Sequence, residues 1–192
     1  MCKCLYAIIG KSASGKSTIA DMLEQTHGLM QVRSYTTRPS RYEGETGHRF
    51  VTKEEFDAIG DLVAYTVYNG NYYGATAKQL EEASTYVIDI PGIECLLKNL
   101  KNNPRPIRIL YFDAAVSIRI ERMVDRDASD AEIISRLHND DTPNDWYSQL
   151  DKLVWNYKNL ENKDIELYRV DANQDLGDVF EEVLYYINKN EE

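Results

Sequence analysis

Residues 10 to 17 read Gly-Lys-Ser-Ala-Ser-Gly-Lys-Ser, and they follow the short apolar run Leu5-Tyr6-Ala7-Ile8-Ile9. The pattern Gly-x-x-x-x-Gly-Lys-Ser is typical of a loop that holds nucleotide phosphates between a strand and a helix. Backbone N–H groups must come close to the phosphates, and Gly10 and Gly15 permit both that approach and the unusual dihedral angles. The motif therefore predicts a strand, a phosphate-binding loop and a helix over about 17–27.

Each part of this loop suits a nucleoside triphosphate. Lys16 can reach the β- and γ-phosphates, and the Ser17 hydroxyl can hold Mg²⁺. The following helix points its positive end at the anion. A Gly/Ser-rich turn that merely starts a helix is the alternative, and the strand before the loop disfavours it. The residues expected to bind ATP are Gly10, Ser12, Ala13, Ser14, Gly15, Lys16, Ser17 and Thr18.

Length and composition predict a single globular domain. The chain has 192 residues, of which 43% are hydrophobic and 28% are charged, and this is enough to bury one substantial core. No apolar stretch approaches the length that spans a membrane, and residues 1–4 lead into the first strand without the apolar segment of a signal peptide. We expect a cytoplasmic protein that does not bind membranes.

Net charge and cysteine content further restrict the kinds of ligand and bond that we expect. The formal net charge of −10 repels nucleic-acid backbones, so no nucleic acid is expected, and a phosphate ligand needs a local cluster of basic residues. Cys2, Cys4 and Cys95 do not form a disulfide framework, and Cys-x-Cys without a second pair is weak evidence for a metal site. We expect reduced thiols, and a monomer and a homodimer both remain open.

Short apolar runs alternate with helical patterns along the chain. The runs are 5–9, 86–90, 107–112 and 165–170. This alternation predicts an α/β fold of the P-loop NTPase type, with a parallel sheet flanked by helices. The last helical pattern, from Leu176 to Ile187, should dock on the sheet because its apolar residues recur at three- and four-residue spacing.

Two segments interrupt this alternation. Residues 34–77 are polar and tyrosine-rich with short alternating runs, which predicts an inserted β-containing lobe. Residues 122–136 are densely charged and lie between helical stretches, as a mobile lid would. We predict one domain over 1–192, divided as follows: a core of about 1–33, 78–121 and 137–192, a lobe of about 34–77 and a lid of about 122–136.

Two motifs after the phosphate loop resemble those of the guanylate kinase family. Ser34-Tyr35-Thr36-Thr37-Arg38-Pro39-Ser40-Arg41 is similar to its phosphate-acceptor motif, and Gly70-Asn71-Tyr72-Tyr73-Gly74 is similar to its second hallmark. The similarity covers roughly residues 5–138, whereas the segment 143–162 has no clear counterpart. The resemblance implies a kinase that transfers the γ-phosphoryl group of ATP, with Mg²⁺, to a nucleoside monophosphate, with GMP or dGMP as the default acceptor.

The resemblance also assigns roles in the acceptor lobe. Arg38 and Arg41 lie three residues apart in a polar turn, and two planar guanidinium groups can grip one phosphate in bidentate fashion. Two solvent-exposed arginines are the alternative. Ser34 and Tyr73 are implied to donate hydroxyl hydrogen bonds to the acceptor phosphate, while Tyr72 is expected to pack.

Further roles fall on the lid and on a strand end. Arg122, Arg126 and Arg136 resemble lid arginines that close over the triphosphate and, with Lys16 and Arg38, act in catalysis. A salt-bridged helix surface is the alternative, because acidic residues lie between the lid arginines. Asp89 ends an apolar run, so it is expected to contact the acceptor and to orient Mg²⁺ through water, with a strand-end cap as the alternative.

The positions that read guanine differ from those of the family. The family's glutamate falls on Ala64, its hydroxyl residue on Ala75, and the second acid after Asp89 is missing in Ile90-Pro91-Gly92. A carboxylate that accepts from guanine contributes about 1.5–3 kcal/mol, which the site would lose.

Other polar residues remain near the expected base. Ser34 can also reach a base edge, and His48, Asn69 or Asn71 can supply polar contacts. His48 and Arg49 stand where the family has a tyrosine before Phe50 that helps to hold the phosphate. The base therefore stays open. A kinase for another base or for a sugar phosphate is one alternative, and a non-catalytic binding module is another.

Overall fold

A four-stranded parallel sheet lies at the centre of the protein in the computed structural model, which describes residues 3–100, 105–140, 145–161 and 163–191. Its strands are β1 (Leu5–Gly10), β6 (Thr85–Val87), β7 (Ile107–Asp113) and β8 (Ile165–Asp171). Their order in the sheet is β6-β1-β7-β8, and neighbours pair in parallel. At the outer edge, Gln31 forms one more parallel bridge, to Thr85.

Helices cover both faces of this sheet because both faces of β1 are apolar and buried. Leu5, Ala7 and Ile9 pack with α4 (Ile90–Asn99) and α7 (Trp146–Asn159). Tyr6 and Ile8 pack on the other side with α1 (Lys16–His27) and α8 (Leu176–Glu191). The predicted fold class and the docking of the last helix are confirmed.

The apolar run 86–90 contains less strand than its pattern suggests. β6 ends at Val87, and α4 begins at Ile90 after Asp89, whose side chain accepts from the Gly92 N–H. Pro91 favours this start, because a first-turn residue needs no N–H donor and proline has the helical φ angle.

A second sheet lies within residues 35–76, inside the segment predicted as an inserted lobe. Its strands are β2 (Tyr35–Thr36), β3 (Arg49–Phe50), β4 (Leu62–Tyr68) and β5 (Asn71–Thr76), in the order β3-β2-β5-β4. Helices α2 (Lys53–Asp57) and α3 (Ala77–Glu82) accompany it. Positive φ angles at Asn69 and Gly70 make the tight turn between β4 and β5.

The segment predicted as a lid is mostly helical. Arg122 lies on α5 (Val116–Val124), Arg126 in the connection after it, and Arg136 on α6 (Asp130–Asp140). The division into core, lobe and lid remains a prediction. No helix in the described ranges is long and apolar enough to cross a membrane.

The cysteines and the segment 143–162 lie only partly within the described residues. Cys2, Pro143 and Asn162 lie outside the described residues, whereas Cys4 and Cys95 are free thiols. The part of 143–162 that forms α7 buries Trp146 and Leu150 against the sheet.

Candidate active site

The phosphate loop connects β1 to α1 and depends on two of its glycines for different reasons. Gly15 has a φ angle of 95°, a left-handed conformation that strains any other residue. Gly10 must lack a side chain because a Cβ there would lie 2.7 Å from both the Phe112 carbonyl oxygen and Ser14 Oγ. Helix α1 begins at Lys16, one residue earlier than predicted, and its first turn contains no acidic residue. The positive end of the helix is therefore left for an anion.

Lys16 folds back over this loop and lies among cations. Its ammonium donates to the Lys11 carbonyl oxygen at 2.8 Å and to Ser14 Oγ at 3.4 Å. Burial lowers the pKa of Lys16 to about 8, Asp140 acts against that shift, and three guanidinium groups add to it. These groups belong to Arg119, Arg126 and Arg41. Such a concentration of positive charge is unfavourable in partly buried surroundings and favours a bound anion.

The residues expected at Mg²⁺ fit this role to different degrees. Ser17 is exposed, and its hydroxyl makes no hydrogen bond within the described chain, so it is available to a cation. Asp89 instead accepts from the Gly92 N–H and from Thr66 Oγ1, both at 2.8 Å. The capping role is thus confirmed for Asp89, and its contact with the acceptor or with Mg²⁺ through water stays a prediction. No group of three His, Cys, Asp or Glu side chains suited to a metal lies among the described residues.

Arg38 is held by the carboxylate of Glu45, which no motif in the sequence marks. Its NH2 and NH1 groups lie 2.7 and 3.2 Å from the two oxygens of Glu45, and Glu45 Oε2 also accepts from the Arg41 N–H at 2.8 Å. The side chains of Arg38 and Glu45 are 11% and 8% exposed, respectively, so the alternative of a solvent-exposed arginine is wrong for Arg38, whereas Arg41 is exposed. Burial opposes ionisation of Glu45, but these hydrogen bonds outweigh it and lower the pKa of Glu45.

Arg41 and Tyr73 lie close to Arg38. Desolvation and repulsion by Arg38 and Arg136 lower the pKa of Arg41. Burial opposes the charge on Arg38, but Glu45 and Tyr73 outweigh it and raise the pKa of Arg38. The Nε atom of Arg38 is buried and has no hydrogen-bond partner in the described chain. The residues predicted to hold one phosphate are therefore brought together, with a donor still unused.

Ser34, which is buried, and His48, which is half-buried, form a polar pair beside this cluster. Ser34 Oγ lies 2.9 Å from His48 Nδ1, and the imidazole meets the Tyr73 ring edge-on at 5.6 Å. Burial and the nearby charge of Arg38 lower the pKa of His48 to about 4. The imidazole is neutral at pH 7, so it offers one donor and one acceptor.

Tyr72 lies on the opposite side of the hallmark motif and packs as predicted. Its ring contacts Phe56 at a centroid distance of 5.7 Å, and the Lys53 ammonium lies 4.3 Å from its centroid. The two tyrosines of the hallmark thus have different surroundings, and only Tyr73 faces the arginine cluster.

The lid arginines lie on two sides of the phosphate loop. Arg122 and Arg126 help to line a cavity of about 250 Å³ beside the loop, whereas Arg136 is an electrostatic neighbour of Arg41. None of the three forms an ion pair within the described residues, which disfavours the alternative of a salt-bridged helix surface. The other residues lining the cavity are Ser14, Gly15, Thr18, Ile19, Asp125, Leu176 and Val179.

Two groups near the loop escaped the sequence analysis. Leu176 and Val179 belong to the apolar pattern of α8, which predicted only that this helix docks on the sheet. Arg119 and Asp140 form a buried ion pair with N and O 2.7 Å apart, and Asp140 also accepts from the Ser12 N–H at 2.8 Å. No spacing in the sequence separates this pair from the surrounding surface charges.

The altered base-reading positions lie opposite each other in the second sheet. Ala64 and Ala75 are register partners of β4 and β5, are 1% and 0% exposed, and belong to the hydrophobic core. Along the same face of β4, Thr66 contacts Asp89, and Tyr68 OH lies 3.2 Å from Ser12 Oγ. This face of the lobe therefore reaches the phosphate loop, but with two alanines where the family carries polar groups.

Comparisons with known proteins agree with this arrangement. A curated guanylate kinase of Gloeobacter violaceus is 30% identical over 142 residues, which are 69% of this chain and 69% of that protein. Another, of Fusobacterium nucleatum, is 28% identical over 165 residues, or 79% of this chain and 87% of that protein. No protein-family model matches the sequence.

A solved structure extends the likeness to the fold. The crystal structure of guanylate kinase from Anaplasma phagocytophilum superposes with a TM-score of 0.55 over 98% of this chain and 86% of that chain, at 15% identity. A sequence identity of 15% shows a similar fold and nothing more. The family is shown by the relative from Gloeobacter violaceus, which is 30% identical in sequence. The chain belongs to the guanylate kinase family of ATP-dependent nucleoside monophosphate kinases.

Proposed function

We propose that the protein transfers the γ-phosphoryl group of ATP to a (deoxy)nucleoside 5′-monophosphate, with GMP or dGMP as the first acceptor to test because its curated relatives are guanylate kinases. One observation carries the proposal. The guanidinium groups of Arg41, from the turn between β2 and β3, and of Arg126, from the lid segment, lie close enough to help lower the pKa of Lys16 in the phosphate loop. A cleft lined by basic side chains from three segments is suited to hold the two phosphate groups close together for transfer.

The donor side of this cleft would hold ATP. The loop amides and Lys16 would bind the β- and γ-phosphates, and the cavity next to Arg122 offers apolar contact from Leu176 and Val179 to the nucleoside. Ser17 is the residue that would hold Mg²⁺. When bound, Mg²⁺ neutralises charge that develops on the β- and γ-phosphate oxygens.

The acceptor side would hold the monophosphate against the arginines. Arg38, oriented by Glu45, and Arg41 would bind its oxygens, with Tyr73 adding a hydroxyl group. An acceptor oxygen then attacks the γ-phosphorus, ADP leaves, and the lid arginines balance the charge of the transition state. The chain contributes position and positive charge to this step, and it forms no covalent intermediate.

One observation at the base-reading positions favours a second candidate for the acceptor. Because Ala64 and Ala75 are buried against each other, neither position offers a group that could read guanine. This favours an acceptor with a different base or a sugar phosphate as the alternative to GMP. A non-catalytic binding module is disfavoured, because the loop lysine is present and the three lid arginines form no ion pair within the part of the chain that the structure describes.

One assay tests these candidates together. ADP formation is measured with ATP, Mg²⁺ and a panel of ribo- and deoxynucleoside monophosphates and sugar phosphates. Arg38→Ala should raise the KM of the true acceptor by about a hundredfold and change the affinity for ATP by less than about twofold. Arg49→Ala is the matched control, because Arg49 is an exposed arginine of the same lobe that contacts the Tyr35 ring. If ATP is hydrolysed but no panel member is phosphorylated, the proposal is wrong.

A further inference from the structure

A buried ion pair grips one residue of the phosphate loop. Arg119 and Asp140 each have a side chain that is 3% exposed. Besides Arg119, Asp140 accepts from the Ser12 N–H at 2.8 Å and from the Ser12 hydroxyl at 3.3 Å. Arg119 NH1 lies 3.5 Å from the Ser12 carbonyl oxygen. The pair therefore contacts the backbone N–H, the hydroxyl group and the carbonyl oxygen of Ser12.

Stability alone does not explain such a pair. Fully buried arginine and aspartate side chains are rare, and apolar residues of similar volume often serve stability as well or better. The residue after Ser12 suggests another reason. Ala13 has a φ angle of 61°, and a non-glycine residue in this region is strained and persists only where its surroundings hold it. The ion pair supplies a fixed anchor next to that strained position.

Tyr68 brings the second sheet to the same anchor. It is the last residue of β4, and its hydroxyl lies 3.2 Å from the Ser12 hydroxyl, which also contacts Asp140. Ser12 is thus the residue at which the loop, the helices that carry the lid arginines and the acceptor lobe meet. A movement of the lobe that breaks the Tyr68 contact leaves the Ser12 hydroxyl with Asp140 as its only partner in the described chain.

We propose that Arg119, Asp140 and Tyr68 are positioning residues for phosphoryl transfer: the ion pair keeps Ser12 in the conformation that receives the phosphates of ATP, and Tyr68 makes this conformation depend on the acceptor lobe. The part that concerns the acceptor rests on the proposed function. The part that concerns ATP does not. A direct consequence is that a bound acceptor strengthens ATP binding and that ATP strengthens acceptor binding by the same factor.

The ion pair is tested by exchanging both partners together. Asp140→Asn alone leaves Arg119 buried without a carboxylate and is expected to destabilise the fold strongly. The double variant Arg119→Met with Asp140→Leu keeps the volume apolar and should fold, as checked by circular dichroism and thermal melting. We expect its affinity for ATP, measured by calorimetry without acceptor, to fall by about tenfold. A folded double variant that binds ATP as tightly as the wild type would overturn the positioning role of the pair.

The lobe contact is tested by removing one hydroxyl group. Tyr68→Phe keeps the ring but loses the bond to Ser12, and Tyr65→Phe is the matched control because Tyr65 lies on the same strand with 40% exposure. Tyr68→Phe should lower kcat by about threefold to tenfold, and the acceptor KM at saturating ATP should rise by the coupling factor that the variant loses. An unchanged kcat would contradict the role of Tyr68, as would an equal loss in the control.

A binding measurement separates positioning from packing. The affinity for a non-hydrolysable ATP analogue is measured with and without the acceptor that the panel assay identifies. The wild type should bind the analogue more tightly with acceptor, and Tyr68→Phe should bring this ratio close to one. A wild-type ratio of one, or a ratio that Tyr68→Phe leaves intact, would overturn the coupling. If no acceptor is found, the proposed function fails, and the ATP affinity of the double variant still decides the role of the ion pair.

Discussion

The donor and acceptor sides of the cleft are held by different means. On the donor side, the loop follows a fully buried strand, and Gly10 is packed against the Phe112 backbone. On the acceptor side, β2 and β3 have two residues each, and the key groups are held by side-chain contacts such as Arg38–Glu45. Backbone geometry restricts residue types at fixed spacing, whereas side-chain contacts can be rebuilt from other residues. The residues of the donor side are therefore easier to recognise in the sequence than those of the acceptor side.

The largest expected effect is a loss of catalysis on the donor side that leaves the fold intact. Lys16→Ala removes an ammonium whose hydrogen bonds go only to Lys11 and Ser14 within the described residues. We expect kcat to fall by about a thousandfold or more because transition-state charge loses its partner, while the melting temperature changes little. The coupled assay and thermal melting measure the two quantities. Lys11→Ala is the control, and an equal loss in both variants would argue against a special role for Lys16.

The next effect concerns the altered base positions on the acceptor side. Ala64→Glu would place a carboxylate at a position that is 1% exposed and faces Ala75 across the sheet. We expect a loss of about 2–4 kcal/mol in the free energy of unfolding, because the charge would be buried without a partner. Urea denaturation measures it, with Val67→Glu on the exposed side of the same strand as control. A stable Ala64→Glu variant that prefers GMP would show that this position still faces a base.

A smaller effect, on acceptor binding alone, is expected from a substitution of Glu45. Glu45→Gln keeps the shape of the side chain but loses its charge, which weakens the grip on Arg38 and on the Arg41 N–H. We expect the acceptor KM to rise by about tenfold and the KM for ATP to change by less than about twofold. Glu43→Gln is the control, since Glu43 is an exposed neighbour. Equal changes in both KM values would mean that the arginine cluster also serves ATP.

The same contrast explains what could be predicted from sequence. The central sheet, the loop and the last helix were predictable because their signals are local in spacing, as in Leu5 to Ser17. The strand at 86–90 was drawn too long, because an apolar run does not reveal that Asp89 caps a helix. Glu45, Arg119 and Asp140 were missed because their roles depend on partners that only the folded chain brings near. The acceptor base stayed open for the related reason that Ala64 and Ala75 carry no polar group.

The smallest expected effect concerns His48 and pH. Burial and the charge of Arg38 lower the pKa of His48 from 6.5 to about 4, so between these values the unfolded chain binds more protons than the folded one. Its contribution to stability is therefore complete above pH 6.5 and is lost as the pH falls toward 4. Comparing wild type with His48→Gln should reveal a difference in this pH dependence, because the variant should lose less stability as the pH falls from 6.5 toward 4.

Urea denaturation at a series of pH values measures this difference, and His138→Gln, at an exposed position, is the control. Because His48 is neutral at pH 7, the acceptor side can use it as a donor or an acceptor without adding to the charge of Arg38 and Arg41. If His48→Gln leaves the acid limb of the stability curve unchanged, the imidazole is not desolvated by this pocket. The acceptor side would then be more open to water than the part-buried hydrogen bond between His48 and Ser34 implies.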